Sequence, residues 1–336
     1  MRLRDDLVSW RRHFHMYPEP SMQEYETAGY VAERLREIGI TQVRTGVGET
    51  GVVALVRGGR KRGKTVALRA DMDALEMTEE TGAEYASCRP GMMHACGHDA
   101  HTACLLGAAA ILHDMRDRLP GNVKLISQPG EEGAGGALRM IKDGVLEGPK
   151  VQAIAALHLF GDLPAGHLGV NAGYMLAQTD DVVLTILGRS AHAARPHQGV
   201  DSIAVAAQVL LAVQQFVARH TDPIDRRLVT FGMIEGGTRT NILASQVTVR
   251  GTIRTLEPGS REAILRFLKR DLHKLVEAMG ARLEVEHHEG YPPLYNDEGV
   301  AEAIAAAGTE VPGPGRIWRD LPPSLGGEDF AYFVQA

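Results

Sequence analysis

Thiol, imidazole and carboxylate groups are concentrated in one short segment, MHACGHDAHTA at residues 93–103. Within it lie five potential metal ligands: His94, Cys96, His98, Asp99 and His101. Thiolate and imidazole bind zinc and similar transition metals, and carboxylates also suit manganese. The glycine between Cys96 and His98 lets the backbone bend, so that both side chains can converge on one ion. The segment therefore predicts a metal site rather than a histidine-rich loop with a buried thiol.

Two adjacent glutamates, Glu131 and Glu132 in the run SQPGEEGAGG, follow a predicted strand. Adjacent carboxylates can take different roles, because one can bind a cation while the other stays available as a base. A bound cation also relieves their mutual repulsion. The alternative is a solvated acidic turn. A nucleotide site is not indicated, since the carboxylates would repel phosphate and the sequence contains no G-x-x-x-x-G-K-[ST] motif.

Three further residues are candidates because of where they stand. His158 closes the apolar run AIAALHLF, while Asp71 and Asp73 follow the run TVALRA. A histidine at the end of an apolar strand is either a metal ligand or a core residue. The two aspartates share one face of an extended segment, where they either bind metal or orient a ligand histidine.

The elements that position these residues follow from the hydrophobic pattern. We expect two helices in the first forty residues, helices at 99–115 and 135–143, and strands at 51–56, 65–70, 122–127 and 151–159. Such alternation is typical of an α/β fold with a mostly parallel sheet and helices on both faces. Sites in such sheets lie at the carboxyl ends of the strands. Asp71, Glu131 and His158 all fall at predicted strand ends.

A different order of elements begins near Gly173. It comprises a strand at 181–188, a helix at 200–219, strands at 227–237 and 245–255, a helix at 258–279 and a strand at 281–290. The order βαββαβ is that of a ferredoxin-like unit, with two helices on one face of a four-stranded antiparallel sheet. We therefore predict a catalytic domain at 1–173 and 291–336, interrupted by an inserted domain at 174–290.

Composition limits the class of protein. The chain has 336 residues and a net charge of −6, which argues against nucleic acid as a partner. The sequence contains no run of 18 apolar residues, so we expect no membrane span. The N-terminus lacks the apolar stretch of a signal peptide. Three cysteines are too few for a disulfide framework. A cytoplasmic enzyme with reduced thiols fits best.

The motifs together resemble those of one family. RADMDALEM, MMHACGHDAHTA, QPGEEGAGG, ALHLFGDLPAG, GRSAHAARPHQGVDS, EGGTRTNILA and SLGGEDFAYF occur in the order found in the aminoacylase/carboxypeptidase metallohydrolases. The chain is most similar to their amidohydrolase branch, which includes hippurate hydrolases, N-acyl-amino-acid amidohydrolases and auxin-conjugate hydrolases. The match extends from RRHFHMYPEP (11–20) to Phe333.

The resemblance implies an activity and a set of roles. It implies a zinc-exopeptidase-like mixed sheet between helices, with the inserted domain as lid and dimerisation domain. It implies hydrolysis of small-molecule N-acyl amino acids by a homodimer that holds two divalent ions (zinc, manganese, cobalt or nickel). The roles carried over are metal ligands for Cys96, His98, Glu132 and His158, general base for Glu131, lid histidine acting in the partner's site for His192, and carboxylate binding for Asn241 and Arg254.

Two alternatives to this activity stay open. A dipeptidase or carboxypeptidase would use the same machinery on a different acyl group. The family pattern also includes a further ligand histidine beyond GGEDFAYF, and this chain ends at Ala336 without one. From the sequence we therefore expect a catalytic domain cut short, and an inactive metal-binding homologue is the second alternative.

Overall fold

The structure, a computed structural model, describes residues 3–59, 63–257, 259–310 and 316–336. The chain divides into two compact units. Unit 1 comprises Met1–Val170, Asp297–Asp320 and Asp329–Ala336, and unit 2 comprises Asn171–Asn296 and Leu321–Glu328.

The strands and helices have the following bounds. The strands are β1 (Val43–Val47), β2 (Gly51–Val56), β3 (Thr65–Asp71), β4 (Asn122–Gln128), β5 (Val151–Ala156), β6 (Leu168–Gly169), β7 (Gly173–Leu176), β8 (Gln178–Leu187), β9 (Arg227–Gly236), β10 (Gln246–Thr255), β11 (Arg282–Glu289), β12 (Leu294–Asn296) and β13 (Ile317–Trp318). The helices are α1 (Leu3–Met16), α2 (Tyr25–Glu37), α3 (His98–Asp114), α4 (Gly136–Lys142), α5 (Ser202–Arg219), α6 (Ser260–Arg266), α7 (Leu272–Ala278), α8 (Glu298–Glu310) and α9 (Ala331–Gln335).

Unit 1 is built on a five-stranded sheet with the order β1-β2-β4-β3-β5. β3 is parallel to β4 and to β5, whereas β2 is antiparallel to both β1 and β4. The sheet is therefore mixed, and the expectation of a mostly parallel sheet is wrong for its β1–β2 edge. The sequence pattern missed β1, because only its last residue is buried and it lacks the alternation of a half-buried strand.

Helices cover the two faces of this sheet differently. Val52, Ala54 and Val56 alternate along β2 toward a core shared with α1, α2 and α3. Lys124, between two core residues of β4, points the opposite way, and its Nζ donates to the carbonyls of the segment that follows α4. These three hydrogen bonds satisfy an ammonium group that burial would otherwise penalise.

Unit 2 contains the predicted ferredoxin-like unit. Its four-stranded antiparallel sheet has the order β11-β8-β10-β9, and its core lies between the sheet and α5, α6 and α7. A π-helical segment, Phe267–Asp271, joins α6 to α7. The predicted start of this helix at Pro258 lies outside the described residues. The ends of the 171–296 stretch meet, since Asn296 Nδ2 donates to the Asn171 carbonyl over 2.9 Å.

Helix α5 is long and apolar enough to cross a membrane by length and composition, with a mean hydropathy of 1.4. Here its inner face, including Val205, Val209 and Val213, packs in the unit 2 core. Asp201 caps its N-terminus by accepting from the Ile203 and Ala204 N–H groups. The helix is thus a core helix of unit 2 with an uncovered outer face.

Candidate metal centre

Three parallel strands bring the candidate residues of unit 1 to one edge of the sheet. Asp71 is the last residue of β3, the two glutamates follow β4, and His158 follows β5. Because parallel strands end at the same edge, side chains more than 80 residues apart in sequence become neighbours. Placement at the strand ends agrees with the sequence prediction.

The structure assembles these residues into two overlapping clusters. Cys96, His98 and His158 each offer a ligand atom within 4.8 Å of the other two, and so do His98, Glu131 and Glu132. Cys96 Sγ lies 3.4 Å from His158 Nε2. Bonds of about 2.3 Å to sulfur and about 2.0 Å to nitrogen at a tetrahedral ion would separate these atoms by roughly 3.5 Å. The spacing therefore fits two ligands of one ion.

A glycine in the left-handed backbone conformation lets the Cys96 and His98 side chains converge. Gly97 has a φ of 94° and immediately precedes α3, so that His98 is the first helical residue. L side chains rarely adopt this conformation, whereas glycine does so at little cost. The turn directs Cys96 and His98 toward the same point, as the sequence analysis predicted.

His98 is oriented by the backbone of Asp73. Its Nδ1 donates to the Asp73 carbonyl over 2.9 Å, so that in the neutral ring Nε2 is the atom that can accept or bind a metal. Nε2 is buried, and no hydrogen-bond partner for it exists among the described residues. Burial would lower the pKa of His98, but the carboxylates of Asp71 and Asp73 raise it to about 12. The surroundings therefore demand a positive charge, which a bound metal ion would supply.

Glu132 is held against the same aspartate. Its backbone N–H donates to Asp73 Oδ2 over 2.9 Å, and Ser21 Oγ donates to the same oxygen. Glu132 Oε1 is buried and likewise unpaired within the described part of the chain. Burial, with the nearby aspartates, raises the pKa of Glu132. Glu132 Oε1 and His98 Nε2 lie 3.9 Å apart, a gap that two metal bonds of about 2.1 Å can span.

The glutamates stand in a turn whose path depends on glycine. A Cβ at Gly136 would lie 1.7 Å from the Pro129 carbonyl oxygen, so no larger residue fits there. The turn is also anchored by fully buried Glu24, whose Oε1 accepts from Gly130 N–H over 2.8 Å. Burial raises the pKa of Glu24. The sequence analysis did not identify Glu24, because an acidic residue directly before a helix usually lies on the surface.

His101 belongs to the supporting structure. Its Nδ1 donates to Asp71 Oδ1 over 2.7 Å, and its Nε2 accepts from Leu159 N–H over 2.9 Å. Both ring nitrogens are thereby occupied, so the ring fixes the backbone next to His158. Asp71 in turn pairs with buried Arg69 over 2.7 Å. Asp73 thus orients His98, a candidate ligand, through its carbonyl, whereas Asp71 orients His101, which is not among the predicted ligands.

A second buried carboxylate completes this support and was not identified from sequence. Asp329 accepts from Arg69 over 3.1 Å, from Gln128 over 2.8 Å and from Ala137 N–H over 2.9 Å. It lies 260 residues from Arg69 in the chain. The only sequence signal is its place within SLGGEDFAYF, which marks a family motif but gives no partner.

The remaining two residues of the 93–103 segment lie apart from these clusters. Asp99 Oδ2 accepts from Arg11 Nε and contacts His15 Nδ1, each over 2.8 Å. His94 is 4% exposed, and burial lowers its pKa to about 4. The density of potential ligands in the segment therefore indicated a metal site correctly but did not separate ligands from their supports.

In unit 2, the structure brings two of the three predicted residues together. His192 pairs with Ile242 in an isolated bridge, and Ala193 N–H donates to the Asn241 carbonyl over 3.0 Å. Both residues lie beyond the end of the sheet where Leu187 pairs with Gln246. Arg254 lies eight residues further along β10 than Gln246, which places it roughly 27 Å from that end of the strand. Its Nε donates to Thr252 Oγ1 over 3.0 Å.

Comparison with known proteins gives consistent results. Residues 67–336 match the family model described as peptidase family M20/M25/M40. The chain is 39% identical over 333 residues to N-acetyl-L-cysteine deacetylase of Bacillus subtilis strain 168, covering 99% of this chain and 78% of that one. It is 38% identical over 299 residues to N-acyl-L-amino acid amidohydrolase of Geobacillus stearothermophilus, covering 88% and 80%. The crystal structure of Bacillus subtilis YXEP protein, a dinuclear metal binding peptidase from the M20 family, is similar with a TM-score of 0.86 and 32% identity, covering 99% and 86%.

Proposed function

This chain belongs to peptidase family M20/M25/M40, and we propose that it hydrolyses the amide bond of N-acyl amino acids at a centre holding two divalent metal ions. The products are a carboxylic acid and a free amino acid. The observation that carries the proposal is the pair of buried acceptors, His98 Nε2 and Glu132 Oε1, which face each other over 3.9 Å and have no hydrogen-bond partner among the described residues. Buried polar atoms left without partners are costly, so a ligand between them is expected.

The donor set fits transition metals. Cys96, His98, His158 and Glu132 are the proposed protein ligands and offer a thiolate, two imidazoles and a carboxylate. This mixture suits zinc, and it is also compatible with manganese, cobalt or nickel. His98 has the hydrogen-bonded second nitrogen that metal-bound histidines usually have. His98 belongs both to the cluster with Cys96 and His158 and to the cluster with the two glutamates, which is consistent with two neighbouring ions.

The catalytic role proposed for Glu131 is supported by its position next to His98 and Glu132. When bound, the ions would acidify a water molecule to a pKa of about 7 and polarise the amide carbonyl. Glu131 then accepts the proton of the attacking water and delivers it to the leaving nitrogen, as a general base and acid. Its side chain is held in a buried turn, 7% exposed, so little reorganisation accompanies the transfer.

His192 supplies a donor for the developing oxyanion in this proposal. Ala194 N–H donates to His192 Nδ1 over 3.1 Å, so the neutral ring carries its proton on Nε2. A donor placed where charge develops is among the largest catalytic contributions. Asn241, beside His192, and Arg254 are the proposed carboxylate-binding groups.

The separation of these groups argues for a homodimer. A small substrate cannot bridge the roughly 27 Å of β10 that separate Arg254 from Gln246, at the end of the sheet next to His192 and Asn241. We propose that each site uses Arg254 of its own chain and His192 and Asn241 of the partner chain. β9 is an edge strand with exposed Met233 and Ile234, and exposed apolar edges of this kind favour pairing with another chain.

We also propose that the enzyme works in a reducing compartment, the cytoplasm. Cys88, Cys96 and Cys104 are free cysteines. A ligand thiolate at Cys96 is retained in the cytoplasm, where thiols stay reduced. Fractionation of the native host, with detection of the chain in the cytosolic fraction, tests this proposal.

A substrate panel tests the activity. N-acetyl, N-benzoyl and dipeptide forms of the same amino acid separate an acyl-amino-acid hydrolase from a dipeptidase or carboxypeptidase. We expect the N-acyl forms to be cleaved with the higher kcat/KM, and cleavage to stop after chelation and return with added zinc or manganese. Failure of every N-acyl substrate in metal-loaded protein would refute the proposal and favour the inactive homologue.

Subunit mixing tests the shared site. Glu131→Gln and His192→Ala chains should each be inactive alone. In an equal mixture of the two variants, about half of the dimers contain one chain of each kind. One of the two sites in such a dimer combines an intact Glu131 with an intact His192 from the partner chain. About one quarter of wild-type activity should therefore return. No recovery in mixtures shown by mass analysis to contain mixed dimers would refute the exchange of His192.

A further inference from the structure

A cavity of about 330 Å³ lies in unit 1 directly beside the proposed metal ligands, since Cys96 is one of its lining residues. Cys96 and Gly97 form the wall on the cluster side, and Leu159, which follows His158, forms another wall. The remaining lining residues include Arg11, Tyr85 and Met93. The cavity therefore opens where a substrate bound at the cluster would extend.

Tyr85 lines this cavity and has a hydroxyl that can donate a hydrogen bond to a ligand. Arg11 Nη1 donates to the Tyr85 oxygen over 3.2 Å. Because a guanidinium can only donate, the tyrosine oxygen is the acceptor in this bond, and its own O–H must find a different acceptor. No such acceptor occurs among the hydrogen bonds of the described residues, and Tyr85 is only half-buried.

The position of Tyr85 is fixed by its neighbours. The guanidinium groups of Arg11 and Arg12 lie 5.2 and 4.9 Å from the centre of its ring. Arg11 is held in turn by Asp99, which is fully buried. The donor is therefore pre-positioned, which reduces the entropy lost when a ligand binds to it.

The charges of the cavity wall are already balanced. Arg11 pairs with Asp99 over 2.8 Å, and His15 contacts both Asp99 and Glu79. The guanidinium that holds the Tyr85 hydroxyl is therefore already paired with a carboxylate, so an oxygen acceptor is sufficient for Tyr85 and an anion is not required.

We infer that this cavity is the acyl-group subsite, and that Tyr85, with Arg11 behind it, favours acyl groups carrying an oxygen acceptor beyond the scissile carbonyl. The inference rests on the proposed function. The groups proposed to bind the amino-acid carboxylate, Asn241 and Arg254, belong to unit 2, whereas this cavity is formed by unit 1 alone. An acetyl group would leave most of its volume unused.

Matched substrate pairs on one amino acid test the inference. N-methoxyacetyl and N-(3-methoxypropanoyl) conjugates differ from N-butyryl and N-pentanoyl conjugates by one oxygen in place of one methylene. Tyr85→Phe removes the donor and retains the ring, so it should lower the ether-to-alkyl ratio of kcat/KM by about two- to tenfold, the range that one neutral hydrogen bond provides. Inductive effects of the oxygen are the same in both enzymes and cancel.

Controls separate recognition from structural damage. Met93→Leu changes the same wall without a polar group and should leave the ratio unchanged. N-acetyl hydrolysis is measured in both enzymes as the reference rate for the two conjugate series. An N-glutaryl and N-hexanoyl pair distinguishes a neutral acceptor from an anion: a Tyr85-dependent preference confined to the glutaryl conjugate would overturn the neutral-acceptor inference.

The possible failures are also distinguishable. A wild-type enzyme that cleaves N-acetyl and N-butyryl conjugates, with an ether-to-alkyl ratio unaltered in Tyr85→Phe, refutes the subsite and leaves the proposed function intact. A wild-type enzyme that cleaves no N-acyl amino acid refutes the proposed function itself. Should Tyr85→Phe fail to fold, methoxyacetate and butyrate tested as competitive inhibitors of the wild type decide the matter: equal inhibition constants would refute the subsite.

Discussion

Replacement of Glu131 by glutamine separates proton transfer from metal binding. Gln has nearly the same shape as Glu, so the buried turn should retain its structure, while the base is lost. General base catalysis contributes about 10²- to 10⁴-fold, and we expect kcat to fall by that factor. Turnover within threefold of wild type would refute the assignment of Glu131 as the base.

The same substitution also weakens metal binding by a predictable amount. The ligand atoms of Glu131, Glu132 and His98 lie within 4.8 Å of one another, so Glu131 is a near neighbour of any bound cation. At an effective dielectric constant of about 20, two unit charges 4.8 Å apart interact by about 3.5 kcal/mol, so loss of the Glu131 charge should weaken metal binding by an energy of this order. Activity must therefore be measured at saturating metal.

The assay combines turnover with metal analysis. The variant should bind the wild-type number of ions when metal is saturating, as measured by elemental analysis after desalting, and its affinity should fall in a titration. Glu33→Gln is the matched control, since Glu33 has a side chain 62% exposed and should change neither quantity. Loss of bound metal at saturation would show that Glu131 is a ligand and would contradict the division of roles between Glu131 and Glu132.

Two further predictions concern the groups that support the site. Asp329→Ala leaves the buried donors of Arg69, Gln128 and Ala137 without their acceptor. The free energy of unfolding, measured by urea titration, should therefore fall by about 3–5 kcal/mol. A free energy of unfolding within about 1 kcal/mol of the wild-type value would refute the support role. The hydrogen bond to Asp99 raises the pKa of His15 above 6.5, so its contribution to stability is complete below that pH and is lost as pH rises through the folded-state pKa. His15→Gln should remove this loss, and equal pH slopes in the two proteins would contradict it.

The sequence predicted the parts of the fold and site that depend on local pattern. The family resemblance is confirmed, and the Cys96–His98 turn and the βαββαβ order were readable from glycine placement and periodicity. The roles of individual site residues stay proposals, since geometry brings them together without testing them.

What the sequence did not provide depends on contacts between distant segments. The different surroundings of His98, a proposed ligand, and His101 depend on Asp73 and Asp71, which lie 25 and 30 residues away and hold the two rings differently. Asp329 meets Gln128 across 201 residues, and no periodic pattern encodes such a pairing. The distance between Arg254 and His192 likewise became visible only from the register of β8 and β10.

The hydrogen bond between Asn296 and the Asn171 carbonyl has a consequence for the order of folding. As an unfolded connection, the stretch 171–296 would impose a loop-closure cost on the two segments of unit 1 that flank it. Once this stretch has folded, its ends meet, and it acts as a link of about four residues, which lowers that cost by about 3 kcal/mol. Unit 2 should therefore fold first and speed the assembly of unit 1, and a short designed turn joining Val170 to Asp297 should substitute for it in folding though not in catalysis.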